Sequence, residues 1–171
     1  AARLAVQHLV RLGHTRIGCL TGPYRYSTSQ LFVDGYRDAM REVADQTDVV
    51  SETLFTLEGG RAGMARLLEE GCTGVVAASD LMALGAITAA RSWGARVPED
   101  VSVIGSDGTP LSTLTDPPLT TLRQPVDRMA AAAVSALLAQ LNGDGLLSPQ
   151  LFQPELVAGA SAGAVKIVTP A

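Results

Sequence analysis

The sequence has 171 residues, of which 47% are hydrophobic and 18% charged, and its formal net charge is −4 at pH 7. This balance is typical of a folded globular protein and argues against intrinsic disorder. Surfaces that grip DNA cluster lysine and arginine against phosphates, whereas this chain has scattered arginines and one lysine, Lys166. The composition therefore argues against a DNA-binding surface on this chain itself.

No apolar run approaches the roughly 20 residues that a membrane span needs, and the start of the chain lacks the layout of a signal peptide. We therefore expect a cytoplasmic protein with no membrane partner. Because the chain opens inside a helical pattern without an initiator methionine, we also expect a further segment upstream.

The first half of the chain alternates helices and strands. Apolar residues at helical spacing predict a helix that Gly13 ends, a second over residues 29–43 and a third around Met64 that Gly71 ends. Short apolar runs predict strands over residues 16–20, 49–57 and 74–78, and the last of these has the continuous apolar character of a strand inside a parallel sheet.

The second half continues the alternation. Ser79 and Asp80 supply an N-cap for a helix over residues 81–93, and strands are predicted over 101–105, 119–122 and 155–157. Pro125 is predicted as the first residue of a helix that runs to Gly143, and the residues beyond Ala160 as frayed. The order predicts an α/β fold, a mostly parallel sheet with helices on both faces.

Polar turns follow three of the predicted strands, at residues 21–23, 79–80 and 106–108. Ligands of such sheets bind at the carboxyl ends of the strands, where glycines let the backbone approach and Asp and Ser accept hydrogen bonds. The three turns therefore predict a small-molecule pocket at one edge of the sheet. Two isolated cysteines, Cys19 and Cys72, are interpreted as reduced core residues.

Six segments in register carry a family resemblance, at residues 11–23, 34–40, 79–86, 97–105, 116–125 and 152–157. The most distinctive is DPPLTTLRQP at 116–125. Together they resemble the effector-binding part of lactose-repressor and galactose-repressor type transcription regulators, the LacI/GalR family. The resemblance runs from about residue 1 to residue 163.

This resemblance implies a periplasmic-binding-protein-like sensor of type I, whose two subdomains enclose a small-molecule effector, a sugar or related metabolite. It implies a C-terminal subdomain over residues 1–121, a crossover and helix of the incomplete N-terminal subdomain over 122–150, a return strand over 151–163 and a tail over 164–171. Operator DNA would be bound through an upstream helix-turn-helix, and effector binding would shift DNA affinity by linkage. Family members pair as homodimers, and our candidates for that interface are Leu81, Leu84, Leu111 and Leu114.

The resemblance also transfers site residues. Asp107 matches the acidic residue that accepts hydrogen bonds from sugar hydroxyls, although an Asp-Gly pair is also a common turn cap. The further effector-site candidates are Pro23, Phe32, Ser79 and Ser106, and the crossover candidates are Leu122, Arg123 and Gln124. Asp80 is expected to act mainly as a helix N-cap.

Three positions depart from the family pattern. Phe32 stands where the family usually has an arginine, Ser79 where it often has asparagine, and Gly159 where it commonly has arginine. An aromatic ring can stack on the apolar face of a sugar but cannot donate a hydrogen bond to it. The departures indicate either an altered effector or a weakened site.

Two other classes of function compete with a sensor. No catalytic residues, metal or cofactor are predicted, because His14 opens the first strand at the edge opposite Asp107 and His8 lies on the first helix. Glu58 stands where the dinucleotide-binding motif needs its first glycine. The alternative function is an extracytoplasmic sugar-binding protein of a transport system, which a signal peptide or lipoprotein cysteine in the full reading frame would indicate.

Overall fold

A computed structural model describes residues 1–43, 48–143, 148 and 150–165. Most of the predicted tail over 164–171 lies outside these residues. Within the described part of the chain, no helix combines the length and apolar character needed to cross a membrane.

Five helices and six strands alternate along the described chain. The helices are α1 (Ala2–Arg11), α2 (Ser27–Met40), α3 (Leu57–Glu69), α4 (Asp80–Ser92) and α5 (Val126–Leu141). The strands are β1 (Ile17–Thr21), β2 (Val49–Glu52), β3 (Gly74–Ala77), β4 (Ser102–Asp107), β5 (Thr120–Arg123) and β6 (Glu155–Val157). A short 3-10 turn, Pro110–Thr113, precedes β5.

The strands form one sheet in the order β2-β1-β3-β4-β5-β6. The first five run parallel, and β6 pairs antiparallel with β5. The predicted α/β fold with a mostly parallel sheet is confirmed.

A hydrophobic core lies on each face of the sheet. Ile17 and Cys19 of β1 pack with α1 and α2 on one face, while Leu20 packs with α3 and α4 on the other. Alternation along the strand explains this division, because successive side chains point to opposite faces. Cys19 and Cys72 are both buried and neither forms a disulfide, in agreement with their interpretation as reduced core residues.

Glycines bring α3 and α4 into close contact. A Cβ atom on Gly60 would lie 2.1 Å from the Met82 carbonyl oxygen, and one on Gly85 would lie 2.0 Å from that of Leu57. Any side chain there would push the helices apart. Gly60 therefore serves helix packing and Gly59 the close approach of the Leu54 backbone, in agreement with the rejection of a dinucleotide-binding loop.

Two predicted boundaries are wrong. The strand predicted to Leu57 ends at Glu52, and Leu57 instead opens α3. The Thr56 hydroxyl accepts a hydrogen bond from the Gly59 N–H at 2.9 Å, so N-cap chemistry sets the boundary where apolar alternation suggested a longer strand. Likewise, Pro125 is the N-cap of α5 and not its first helical residue.

The prediction of a frayed chain beyond Ala160 is wrong for residues 161–165, while residues 166–171 lie outside the described part of the chain. Ser161 is fully buried; its hydroxyl donates to the Val103 carbonyl at 2.6 Å and accepts from the Thr120 N–H at 2.9 Å. Val165 N–H then donates to the Leu12 carbonyl at 2.9 Å. Residues 161–165, called the strap below, are thus tied across the amino ends of the strands by hydrogen bonds that hydrophobic periodicity does not reveal.

His14 holds the middle of the strap. Its Nε2 lies 3.0 Å from the Gly163 carbonyl oxygen and 3.1 Å from Ser102 Oγ, and its Nδ1 lies 3.0 Å from Thr73 Oγ1. Burial lowers the pKa of His14 below its usual value, while the hydrogen bond to Gly163 opposes that shift. The neutral imidazole therefore joins β1, β3, β4 and the strap at the edge opposite Asp107, as the sequence predicted for its position.

The helix α5 differs from the other four. None of its residues is buried, and its exposed large apolar side chains are Val126, Met129, Val134, Leu137, Leu138 and Leu141. Exposed apolar faces of this kind are typical of surfaces that pack against another element or another protein.

Candidate functional site

A cleft of about 610 Å³ opens at the carboxyl edge of the sheet. Its wall combines side chains from the ends of β3, β4 and β5 with the starts of α1, α2 and α4. The lining residues are Ala1, Ala2, Arg3, Thr28, Leu31, Phe32, Gly35, Phe55, Ala78, Ser79, Leu81, Ser106, Asp107 and Gln124. Of the three strand-end turns predicted to form a pocket, those at residues 79–80 and 106–108 contribute to this wall, whereas none of residues 21–23 lines it.

Most of the predicted effector residues meet in this cleft. Phe32, Ser79, Ser106 and Asp107 all contribute to its wall, and so does Gln124 of the predicted crossover. Pro23 lies at the same edge, after β1, but does not line the cleft, so its assignment stays a prediction.

The other predicted crossover residues, Leu122 and Arg123, are part of β5. Leu122 is fully buried in the core shared with α1 and α2, whereas Arg123 is exposed and aligned with Asp107 across the strands. Neither lines the cleft. They lie directly before Gln124, so β5 connects the sheet to the cleft wall.

Asp107 ends β4 in an unusual backbone conformation. Its φ is +133°, a region that residues with a side chain rarely adopt, and Gly108 follows with φ +70°. Non-glycine residues in such conformations cluster at ligand sites, where the surrounding structure holds them in place. A hydrogen bond from the Gln124 N–H to the Asp107 carbonyl at 3.3 Å links this turn to the end of β5.

The Asp107 carboxylate has acceptor capacity to spare. Among the described residues its hydrogen-bond donor is the Asp80 N–H, at a long 3.4 Å. Although the residue is exposed overall, partial withdrawal of the carboxyl group from water raises its pKa to about 6. The Asp80 N–H opposes the rise in pKa and the Asp80 charge adds to it. Such a carboxylate gains from a ligand that donates hydrogen bonds.

The expected N-cap role of Asp80 is wrong. Ser79 is the N-cap of α4, and its hydroxyl accepts from the Met82 N–H at 3.2 Å. Because Ser79 is engaged there and nearly buried, it contributes to the cleft mainly as part of the wall. The carboxylate of Asp80 is turned instead toward Thr109 and Thr121.

Sequence reasoning missed Arg3, Thr28 and Phe55 in the cleft wall. Phe55 lies on Gly22, where an added Cβ would come within 2.0 Å of its ring, and its centroid is 6.3 Å from that of Tyr26. The sequence marks Gly22 as a turn residue, and its lack of a side chain is what admits the ring. With Phe32, the cleft therefore has two phenyl groups in its wall.

Gly159, the third departure from the family pattern, lies away from the cleft. A Cβ on it would come within 2.4 Å of the Pro118 carbonyl oxygen, and its N–H donates to Thr120 Oγ1 at 3.0 Å. A larger residue would require the backbone to move, so glycine here reflects close packing beside β5.

No cluster of metal-ligating side chains occurs in the part of the chain that the structure describes. The two predicted interface residues before β5 are exposed, Leu111 by 48% and Leu114 by 80%, and Leu84 is half-buried. Leu81 is exposed as well but also lines the cleft.

The comparison with known proteins agrees with this geometry. A family model described as a periplasmic binding protein-like domain matches residues 6–162. The chain belongs to this family. Within it, the relatives are transcription regulators: an HTH-type transcriptional regulator in the aml 5′ region of Streptomyces limosus is 51% identical over 167 residues, covering 94% of this chain and 48% of that protein.

Solved structures give the same result. A dimeric Lac repressor superposes with a TM-score of 0.89 at 33% identity, over 96% of this chain and 61% of the other. A complex of the transcriptional regulator CelR with cellobiose superposes with a TM-score of 0.88 at 33% identity, over 94% of this chain and 51% of the other. The predicted membership of the LacI family is confirmed.

The chain spans about half the length of the curated relatives it matches, which it covers to 48% and 50% in two cases. These LacI-family relatives are regulators and not enzymes, which supports the prediction of a non-enzymatic chain. The matched proteins also disfavour the transport-protein alternative.

Proposed function

We propose that this chain is the effector-binding part of a LacI-family transcription regulator, and that it binds a sugar or a related metabolite in the carboxyl-edge cleft. The observation that carries the proposal is the placement of Asp107. Its carboxylate has free acceptor capacity, lines a cleft of about 610 Å³ and lies beside the last residues of β5.

The chemistry of the wall favours a neutral polyhydroxylated ligand. Asp107 accepts hydrogen bonds from hydroxyl groups, while Phe32 and Phe55 offer apolar ring surfaces to the C–H face of a sugar. The Arg3 guanidinium in the wall lies 3.5 Å from Asp38 and 3.9 Å from Glu42. Because its charge is partly balanced there, the cleft is a poor site for a phosphate or carboxylate. The CelR complex, in which a relative holds cellobiose, points to the same ligand class.

The site assignment is tested by titration calorimetry of the protein with cellobiose and a panel of other neutral mono- and disaccharides, beside their phosphorylated forms. Asp107→Asn is expected to lower the affinity of whichever neutral sugar binds by about tenfold or more, because a hydrogen bond to a carboxylate contributes more than one to an amide. Asp116→Asn is the matched control, since Asp116 is exposed and lies outside the cleft. Equal affinities of Asp107→Asn and the unaltered protein would refute the assignment.

Regulation follows from the position of the crossover. We infer that residues 1–121 form one subdomain, that Leu122, Arg123 and Gln124 lead to the other, and that α5 belongs to that second subdomain. A ligand that binds the closed cleft better than the open one shifts the population of closed molecules. The shift would reach operator DNA through an upstream helix-turn-helix and a homodimer, as a regulator acting in the cytoplasm.

The complete reading frame decides between regulator and transport protein. A helix-turn-helix segment upstream is expected, and a signal peptide in its place would refute the regulator.

The dimer proposal rests on the exposed apolar side chains Leu111 and Leu114, with Leu84 and Leu81 on α4. Leu114→Asp is expected to shift sedimentation from dimer to monomer, and Leu54→Asp, at a site exposed by 56%, is the matched control.

A further inference from the structure

Asp80 carries a buried carboxylate that the helix cap does not need. It is the first residue of α4 and only 1% exposed, and the cap is already supplied by Ser79. One carboxylate oxygen, Oδ2, accepts hydrogen bonds from the N–H and the hydroxyl of Thr109, at 2.7 and 2.8 Å. The other, Oδ1, accepts from the Thr121 hydroxyl. Burying a carboxylate costs free energy unless hydrogen bonds compensate it, as they do for Asp80.

The hydrogen-bond partners of Asp80 lie in the turn at residues 107–109, which carries Asp107, and in the strand β5 beside it. Thr109 follows Asp107 by two residues, and Thr121 belongs to β5. The Thr121 hydroxyl oxygen also accepts from the Gly108 N–H at 3.3 Å. In addition, the Asp80 N–H donates directly to Asp107 Oδ2. One residue thus contacts the Asp107 carboxylate, the turn behind it and the crossover strand.

Two glycines make this arrangement possible. A Cβ on Gly105 would lie 2.6 Å from Asp80 Oδ1, so its absence leaves room for the carboxylate to reach the sheet. A Cβ on Gly108 would lie 2.6 Å from the Cα of Arg123, so the turn rests directly on β5. The positive φ angles of Asp107 and Gly108 are unfavourable for most residues, and the hydrogen bonds from Asp80 supply the restraint that such a turn requires.

We propose that Asp80 is the positioning residue of the effector site. Its buried carboxylate fixes the turn at residues 107–109 against β5, so that the ligand-binding carboxyl of Asp107 and the crossover strand move as one hydrogen-bonded unit. A ligand that pulls on Asp107 then acts on β5 without a further contact. The inference rests on the proposed function, in which Asp107 contacts the effector.

The negative charge of Asp80 acts on the ionisation of the Asp107 carboxyl group. It raises the pKa of Asp107, in addition to the larger effect of burial, while the Asp80 N–H lowers it. Replacing the carboxylate by an amide removes the charge and keeps the shape. If Asp80 holds the position described, Asp80→Asn must lower the pKa of Asp107. A carboxylate too far from Asp107 to hold the turn at residues 107–109 would leave that pKa unchanged.

The first experiment follows the side-chain carboxyl carbons of ¹³C-labelled aspartate by NMR between pH 3 and pH 8, with Asp107→Asn used to identify the Asp107 signal. Asp80→Asn is expected to lower the Asp107 titration midpoint, since removing a nearby like charge favours the ionised form of a carboxyl group. Asp116→Asn should leave the midpoint unchanged. A folded Asp80→Asn protein with the unaltered midpoint would overturn the inference.

The second experiment does not depend on Asp80→Asn remaining folded. Thr121→Val removes the hydroxyl that joins Asp80 to Gly108, and Thr121→Ser keeps it. We expect Thr121→Val to raise the hydrogen-exchange rate of the Gly108 amide about tenfold, and Thr121→Ser to restore the slow rate. Equal exchange in all three proteins would overturn the inference.

The two levels of the proposal fail separately. If Asp107 does not bind the effector, Asp107→Asn will bind cellobiose or the active sugar of the panel as the unaltered protein does, whatever the NMR titration gives. If only the role of Asp80 is wrong, Asp107→Asn will still lose affinity while Asp80→Asn leaves the Asp107 midpoint in place.

Discussion

His14 and Ser161 at the amino edge of the sheet and Asp107 at the carboxyl edge differ in how much of their hydrogen-bonding capacity is used. At the amino edge both ring nitrogens of His14 and the hydroxyl of Ser161 have close partners, and the strap is held in place. At the carboxyl edge the Asp107 carboxylate receives one long hydrogen bond, its backbone is strained and a cleft opens beside it. Saturated groups stabilise a fold, whereas groups with spare capacity gain from a ligand.

The largest expected effect concerns the saturated edge. His14→Ala removes one hydrogen-bond partner each from the Gly163 carbonyl, Ser102 Oγ and Thr73 Oγ1, and also leaves a cavity. We expect the free energy of unfolding to fall by about 3 kcal/mol, measured by urea denaturation. His8→Ala, on the half-buried side of α1, is the control and should cost less than about 1 kcal/mol. Similar losses of unfolding free energy for both variants would mean that the hydrogen bonds of His14 do not stabilise the fold.

Acid should weaken the stabilisation that the hydrogen bonds of His14 provide. Burial holds the pKa of folded His14 below the value of 6.5 expected in the unfolded chain. Below pH 6.5 the unfolded state therefore binds a proton that the folded state does not, and the stabilisation by His14 is lost as the pH falls through its folded pKa. We expect the stability difference between the unaltered protein and His14→Ala to be largest at pH 8 and to shrink at pH 5. A difference that stays constant across this range would contradict the neutral, buried state of His14.

The contribution of Asp107, at the carboxyl edge, to stability should depend on pH in the opposite direction from that of His14. The pKa of Asp107 rises from 3.8 to about 6 on folding, so its contribution to stability is complete below pH 3.8 and is lost as the pH rises through about 6. The Asp107→Asn protein has no carboxyl group at this position and therefore does not lose this stability as the pH rises. Relative to the unaltered protein, its melting temperature should therefore improve between pH 4 and pH 7, even though effector binding declines. A lower melting temperature of Asp107→Asn at pH 7 would show that Asp107 stabilises the fold.

The sequence predicted the carboxyl edge better than the amino edge, for a physical reason. Strand ends and helix starts are local patterns, so the order of residues along the chain was enough to assign Ser79, Ser106 and Asp107 to one cleft. The strap has no hydrophobic periodicity, and its order comes from contacts such as that between Ser161 and Val103, 58 residues apart. Phe55 was missed because the predicted strand ran past Glu52 and hid the turn that carries the ring.

The helix α5 has a surface that differs from both edges of the sheet, because it is apolar but not packed. Substitutions on this surface should have the smallest effect on the free energy of unfolding. Leu141 is 74% exposed, so Leu141→Gln in this chain should change the free energy of unfolding by less than about 0.5 kcal/mol, while Leu67→Gln in the core should cost several times more. In a longer protein that includes the upstream half of the relatives, the same Leu141→Gln should cost about 1 kcal/mol or more, because burial of its side chain then depends on the added subdomain. Urea denaturation of the two lengths measures the difference. An equal, small effect at both lengths would mean that α5 does not pack against the upstream half, and the proposed boundary at Leu122 would have to move.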